Sequence, residues 1–226
     1  QNLRQMARPW TKLSHVNVAP ILGTFHAAPH PPGLVLPCYE GNACMYAKHA
    51  TMSDILQLLK DASAGVAYLH SRGIVHGDIR GTNVLVDDSG RVVISDYGLK
   101  HLLVSYEFRS PSVAGHVRWQ APEVFADVRD RRLPQGRMSD PFDKRSDVYS
   151  FGMLGVELVT GDRPFSDRRV DAVVVLDILK GRRPKKPSST PLVDAVWSIF
   201  EECWNHDSDA RPGMSHVRDR LACVHF

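Results

Sequence analysis

Apolar residues recur along this chain with helical spacing in some stretches and as short runs in others, and that pattern predicts its elements. Over residues 53–71, Ile55, Leu58, Leu59, Ala62, Val66 and Leu69 fall on one face of a helix. Thr51 and Asp54 form a capping pair at its start, and Gly73 ends it. Residues 147–160 are apolar on nearly every side (Val148, Phe151, Met153, Leu154, Val156, Leu158, Val159), which predicts a core helix closed by Gly161. Further helices are predicted over 169–180, over 191–204 with Thr190 as cap and Pro191 in the first turn, and over 215–223. Residues 2–13 also carry an apolar face (Leu3, Met6, Ala7, Trp10, Leu13). Pro9 sits inside it and removes a backbone donor, so a kink or an early stop is expected there.

Leu34–Leu36 reads as a buried strand. Val84–Val86 and Val92–Ile94 flank the polar run Asp87-Asp88-Ser89-Gly90 and predict a hairpin. With Ser89-Gly90 as a two-residue loop, Gly90 supplies the positive φ, 88 pairs with 91, and 83 stands opposite 96. Asn83 and Asp96 then lie side by side, with Asp78 a few residues upstream. An amide oxygen and a carboxylate on neighbouring strands suit a hard cation such as Mg²⁺. A third carboxylate on the adjoining loop suits proton acceptance from a hydroxyl.

Composition narrows the picture without redirecting it. A chain of 226 residues buries one sizeable core or two modest ones, and 43% hydrophobic with 23% charged residues describes an ordinary globular protein. A net charge of +3 is too small to argue for a nucleic acid or a membrane surface as partner. The basic clusters at Arg129 with Arg131-Arg132, at Arg168-Arg169 and at 182–186 read as solvated loops. Cys38, Cys44, Cys203 and Cys223 lack metal-type spacing and read as reduced thiols, so a cytoplasmic location is expected, with the nucleus as alternative. No apolar run approaches membrane-spanning length, and no signal peptide is visible. The chain starts at Gln1 rather than Met, which is compatible with an upstream portion lying outside it.

His76-Gly-Asp-Ile-Arg-Gly-Thr-Asn83, then Asp96-Tyr-Gly98, then Ala121-Pro122-Glu123, in this order and spacing, resemble the catalytic lobe of a eukaryotic protein kinase. Gly115-His-Val-Arg-Trp-Gln-Ala-Pro-Glu123 is similar to the tyrosine-kinase-like serine/threonine group, whereas Asp-Ile-Arg-Gly-Thr-Asn looks like a form used by some tyrosine kinases. The resemblance implies an α+β, protein-kinase-like fold with a mainly helical C-lobe and a truncated N-lobe. Residues 1–36 would be a partial N-lobe from the αC helix to the fifth strand, 37–42 the hinge, and 43–226 the C-lobe with catalytic loop, activation segment and helices αD to αI. The helix over 53–71 would deliver the catalytic loop, and that over 147–160 would be the central helix of the large lobe.

The resemblance also implies roles. Asp78 would be the base that orients the substrate hydroxyl, and Arg80 would stand near the transferred phosphate. Asn83 and Asp96 would hold Mg²⁺ against the phosphates of ATP. Leu85 would floor the adenine, with Leu36 as gatekeeper and Pro37–Tyr39 as hinge. His116 stands where the group usually has a threonine bonded to the catalytic aspartate, and either bonds to it through a ring nitrogen or only fills space. Glu123 with Arg211 resembles an ion pair that fixes the large lobe, and Asp147 a brace for the catalytic loop. Gly77 replaces an arginine that many kinases use to grip a phosphorylated activation loop, so phosphorylation at Ser105, Tyr106, Ser110 or Ser112 is expected to have little ordering effect.

Three features run against full activity. The chain has no Gly-x-Gly-x-x-Gly, it begins after the place of the strand lysine, and Met6, with Gln5 beside it, falls at the partner glutamate's position. The first helix is accordingly expected to leave apolar surface exposed. The implied function is transfer of the γ-phosphate of ATP to a protein serine or threonine, with tyrosine as an alternative; the partners are ATP and a protein substrate or docking partner. A catalytically inactive pseudokinase that binds other proteins is the second reading. A small-molecule phosphotransferase is the third, because His-Gly-Asp occurs there too; Arg-Trp-Gln-Ala-Pro-Glu and Asp147-Val-Tyr-Ser-Phe-Gly argue against it.

Overall fold

The core is organised around helix α3 (Lys144–Thr160), every residue of which from Ser146 to Leu158 is buried. The helix begins one turn earlier than its apolar run. Asp143 caps it by accepting from the amides of Arg145 and Ser146, while the Ser146 hydroxyl donates to the Asp143 carbonyl at 2.8 Å. It closes at Gly161, as expected. This is a computed structural model in which residues 3, 7–27, 33–99, 116–125 and 141–225 are described.

Helix α5 (Pro191–Cys203), capped by Thr190, packs across α3. Helix α2 (Met52–Ser71) lies against the C-terminal helix α6 (Met214–Ala222) and starts with the reciprocal Thr51–Asp54 capping box read from the sequence. Helices α1 (Ala43–Ala47) and α4 (Asp171–Leu179) complete the helical layer among the described residues.

The described residues include five short strands: β1 (Gly23–Phe25), β2 (Gly33–Val35), β3 (Gly41–Asn42), β4 (Val84–Val86) and β5 (Val92–Ile94). They form an antiparallel pair, β1–β2, and a sheet ordered β3–β4–β5. The expected buried strand over Leu34–Leu36 is therefore one half of a two-stranded sheet, with Val35 exposed on its outer face. The last two residues of the expected hinge, Gly41 and Asn42, are a strand paired with Val86 and Leu85.

The hairpin departs from its expected register by one residue. Val86 pairs with Val92 and Val84 with Ile94, so the loop has three residues and Asn83 stands opposite Ser95, not Asp96. The cause is local. The Asp87 carboxylate accepts from Ser89 and Arg91 amides, the Gly90 amide closes a turn onto the Asp87 carbonyl, and Gly90 takes φ 80°. This is a type I turn followed by a left-handed residue, the usual three-residue hairpin loop.

The first segment also differs from expectation. A helical turn at Ala7 passes through Pro9 into a 3-10 turn, Trp10–Lys12, so Pro9 does end the helix early. Its described apolar residues are not left exposed: Ala7 and Trp10 are buried, and Trp10 meets Tyr97 edge-on at 6.0 Å. Asn17–Ala19 then runs along β5, exchanging backbone hydrogen bonds with Ile94.

Candidate active site

The loop between α2 and β4 carries most of the candidate residues, and a buried carboxylate holds it. Asp147, in the first turn of α3, accepts from the amides of His76 (2.7 Å) and Gly77 (2.8 Å), and its Oδ2 lies 2.8 Å from His70 Nε2. Three donors around one carboxylate satisfy its burial and fix the loop to the core helix. The bracing role read for Asp147 is thus geometric fact; His70, at the end of α2, carried no signal in the sequence. His76 is fully buried, and burial pushes its pKa below the ordinary value despite the opposing charges of Asp147, Asp78 and Asp96.

Asp78 follows with its two oxygens separately engaged. Oδ1 lies 3.1 Å from His116 Nδ1, and Oδ2 accepts from Asn83 Nδ2 at 3.0 Å. Asn83 Nδ2 also donates to the Asp78 carbonyl at 2.8 Å, and the Arg80 guanidinium stands 3.5 Å from Oδ2. The choice left open for His116 is therefore decided in favour of the bond. With Asp78 ionised, and so an acceptor only, this bond calls for the His116 proton on Nδ1. Asp78, Arg80, Asn83 and His116 form one cluster.

Asn83 turns its amide nitrogen to Asp78, which leaves Oδ1 as the group able to face a cation. Asp96 lies one residue beyond the Asn83–Ser95 pairing, exposed, with φ 58°. A non-glycine residue at positive φ is costly by about 1–3 kcal/mol and persists where its surroundings impose it. Here Tyr97 imposes it: the ring is buried and its hydroxyl donates to the Ala19 carbonyl at 3.0 Å, while the Gly98 amide bonds to the His76 carbonyl. The aromatic side chain goes into the core and Asp96 is turned outward. An amide oxygen, approached by the Thr82 hydroxyl at 3.5 Å, and an outward-turned carboxylate are donor types that Mg²⁺ accepts, since it takes few protein ligands and keeps water.

The hinge-side candidates are less tightly built. Leu36 packs on the core while partly exposed, and Leu85 stands half-buried between the buried Val84 and Val86, on the opposite face of β4. Pro37 and Tyr39 are half-buried, and burial, then the Asp87 charge, pushes the Tyr39 phenol up. A cavity of about 520 Å³ lies beside them, between α1 and the β4–β5 turn, lined by Met45, Tyr46, Glu40 and Asp87 among others. None of Leu36, Pro37, Tyr39, Leu85 or Asp78 lines it.

Farther out, Arg211 makes a bidentate pair with Glu123 at 2.6 and 2.9 Å, with the guanidinium fully buried. That pair stood in the sequence reading. Gln5, Met6, Ser105, Tyr106, Ser110, Ser112 and Gly115 lie outside the described residues.

The chain matches the family model for protein tyrosine and serine/threonine kinases over residues 1–221. It is 34% identical over 168 residues to the serine/threonine-protein kinase CTR1 of Arabidopsis thaliana, covering 74% of this chain and 19% of that protein. The serine/threonine/tyrosine-protein kinase HT1 of the same plant is 29% identical over 183 residues, or 79% of this chain and 43% of the relative. The dual specificity protein kinase shkD of Dictyostelium discoideum is 29% identical over 167 residues, or 74% and 21%. The chain thus spans less than half the length of each of these relatives. It belongs to the protein kinase family, with a kinase-like α+β fold, and members of this family generally use ATP and Mg²⁺. Among the described residues no helix is long and apolar enough to cross a membrane.

Proposed function

We propose that this kinase domain transfers the terminal phosphoryl group of ATP to a serine or threonine hydroxyl of a protein. The observation that carries the reading is the Asp78 carboxylate, held at both oxygens beside Asn83, with Arg80 within ion-pair reach. Asp78 orients the hydroxyl and receives its proton, and Arg80 faces the transferred phosphate. Asn83 and Asp96 hold Mg²⁺, whose charge offsets that of the phosphates. Leu85, Leu36 and the Pro37–Tyr39 segment receive the adenine. The names of the relatives, serine/threonine kinases with dual-specificity members among them, support the choice of hydroxyl.

The test is radiolabelled phosphoryl transfer from MgATP to a generic protein substrate, with analysis of the phosphorylated amino acids. Asp78→Asn should lower the rate by roughly 10²–10⁴-fold, the usual contribution of a positioned proton acceptor. Asp96→Asn should remove the Mg²⁺-dependent part of the thermal shift caused by ATP. Nucleotide binding with no transfer would instead favour the pseudokinase reading, to which Met6 points. Label on tyrosine would move the assignment to dual specificity.

A further inference from the structure

Glu157 is a buried acid on α3 for which the roles above have no use. Its Oε2 accepts two hydrogen bonds, from the Gly81 amide at 2.9 Å and from Trp119 Nε1 at 2.9 Å. Its Oε1 accepts from the Cys44 thiol at 3.1 Å. Gly81 lies between Arg80 and Asn83, and Trp119 lies on the same 3-10 turn, 116–119, as His116. The two segments joined at one Glu157 oxygen are therefore the two that deliver Asn83 and His116 to the two oxygens of Asp78.

We propose that Glu157 is the positioning residue for Asp78, setting the separation of the two segments whose side chains orient that carboxylate. The proposal rests on the reading of Asp78 as proton acceptor. Both bonds to Oε2 are charge-assisted and shielded from water, so they are short-range and directional. The packing leaves no slack: a Cβ at residue 81 would lie 2.3 Å from Cys44 Sγ and 3.1 Å from Glu157 Oε2. Burial and the Glu157 charge push the Cys44 thiol up to about 12, so it remains a donor at neutral pH. Ser150 Oγ donates to the Trp119 carbonyl at 2.7 Å and gives the turn a second tie to α3, so losing Glu157 loosens the turn without releasing it.

The experiment uses the whole chain and reads the His116 imidazole by long-range proton–nitrogen NMR. Asp78→Asn assigns the hydrogen-bonded Nδ1 proton. In Glu157→Gln, and separately in Trp119→Phe, that proton should exchange with solvent roughly tenfold faster, the scale of one weakened charge-assisted hydrogen bond. In the phosphoryl-transfer assay kcat should fall on the order of 10²-fold with the KM for MgATP unchanged, as for a misplaced reacting group. Unchanged His116 signals in either variant that folds would overturn the proposal, including when stability alone has dropped. Glu157→Asp, which keeps the charge, should recover part of the signal. Absence of transfer in the wild-type chain would overturn the kinase reading and leave the NMR result to decide the positioning network alone.

Discussion

The catalytic-loop side of this site and its hinge side are built by different means. On the first, charges sit in the core and are satisfied there: Asp147 gathers His70, His76 and Gly77, and Arg211 holds Glu123. On the second, among the described residues β1 and β2 pair only with each other, and Val16, Leu22, Phe25 and Val35 are 64%, 64%, 48% and 40% exposed. A buried polar network has few alternative arrangements, because each lost partner costs about 1–3 kcal/mol. A two-stranded sheet is marginal by itself and tolerates displacement. The contrast suits the proposed phosphoryl transfer, which needs a rigidly placed acceptor and a nucleotide site that admits and releases its ligand.

On this contrast the largest effect should come from Asp147→Ala, which strands two amides and His70 in the core. Destabilisation of about 3–5 kcal/mol is expected, read as a lower urea midpoint with an unchanged slope. Gly155→Ala tests the packing beneath: its Cβ would come within 2.3 Å of the Phe200 ring, so a loss of about 1–3 kcal/mol is expected.

The His76 imidazole gives a pH test of the same side. Its folded-state pKa lies below the ordinary 6.5, chiefly because it is buried, so the unfolded chain takes up the proton first as the solution is acidified. The stability owed to neutral His76 is complete above pH 6.5 and is lost as pH falls through the depressed folded-state value. The stability difference between wild type and His76→Asn should therefore shrink below that pH, by at most about 1.4 kcal/mol per pH unit. A difference constant from neutral pH down to pH 5 would contradict this.

On the hinge side the effects should be smallest. Phe25→Ser and Val35→Thr should each change stability by less than about 0.5 kcal/mol in thermal melts. A loss comparable with that of Gly155→Ala would mean that the two sides are equally rigid.

The sequence by itself determined the element types and displayed the candidate chemistry. The apolar face of α2, the all-round apolar α3, the Thr51 and Thr190 caps, and the Asp78, Asn83 and Asp96 constellation all depend on local spacing, which one strand of text displays. The element edges that were missed were also local, but they turned on competition. Asp143 outbid the apolar run as the start of α3, and the Asp87 side chain chose a three-residue loop and moved Asn83 opposite Ser95. What only the tertiary structure decided was which distant groups share a proton or a charge. His116 meets Asp78, His70 meets Asp147, and Glu157 joins Gly81 to Trp119 across sequence separations that carry no periodic signal. The reason is physical: local patterns follow from backbone geometry, whereas a buried carboxylate takes whichever donors the packed core brings within about 3 Å of it.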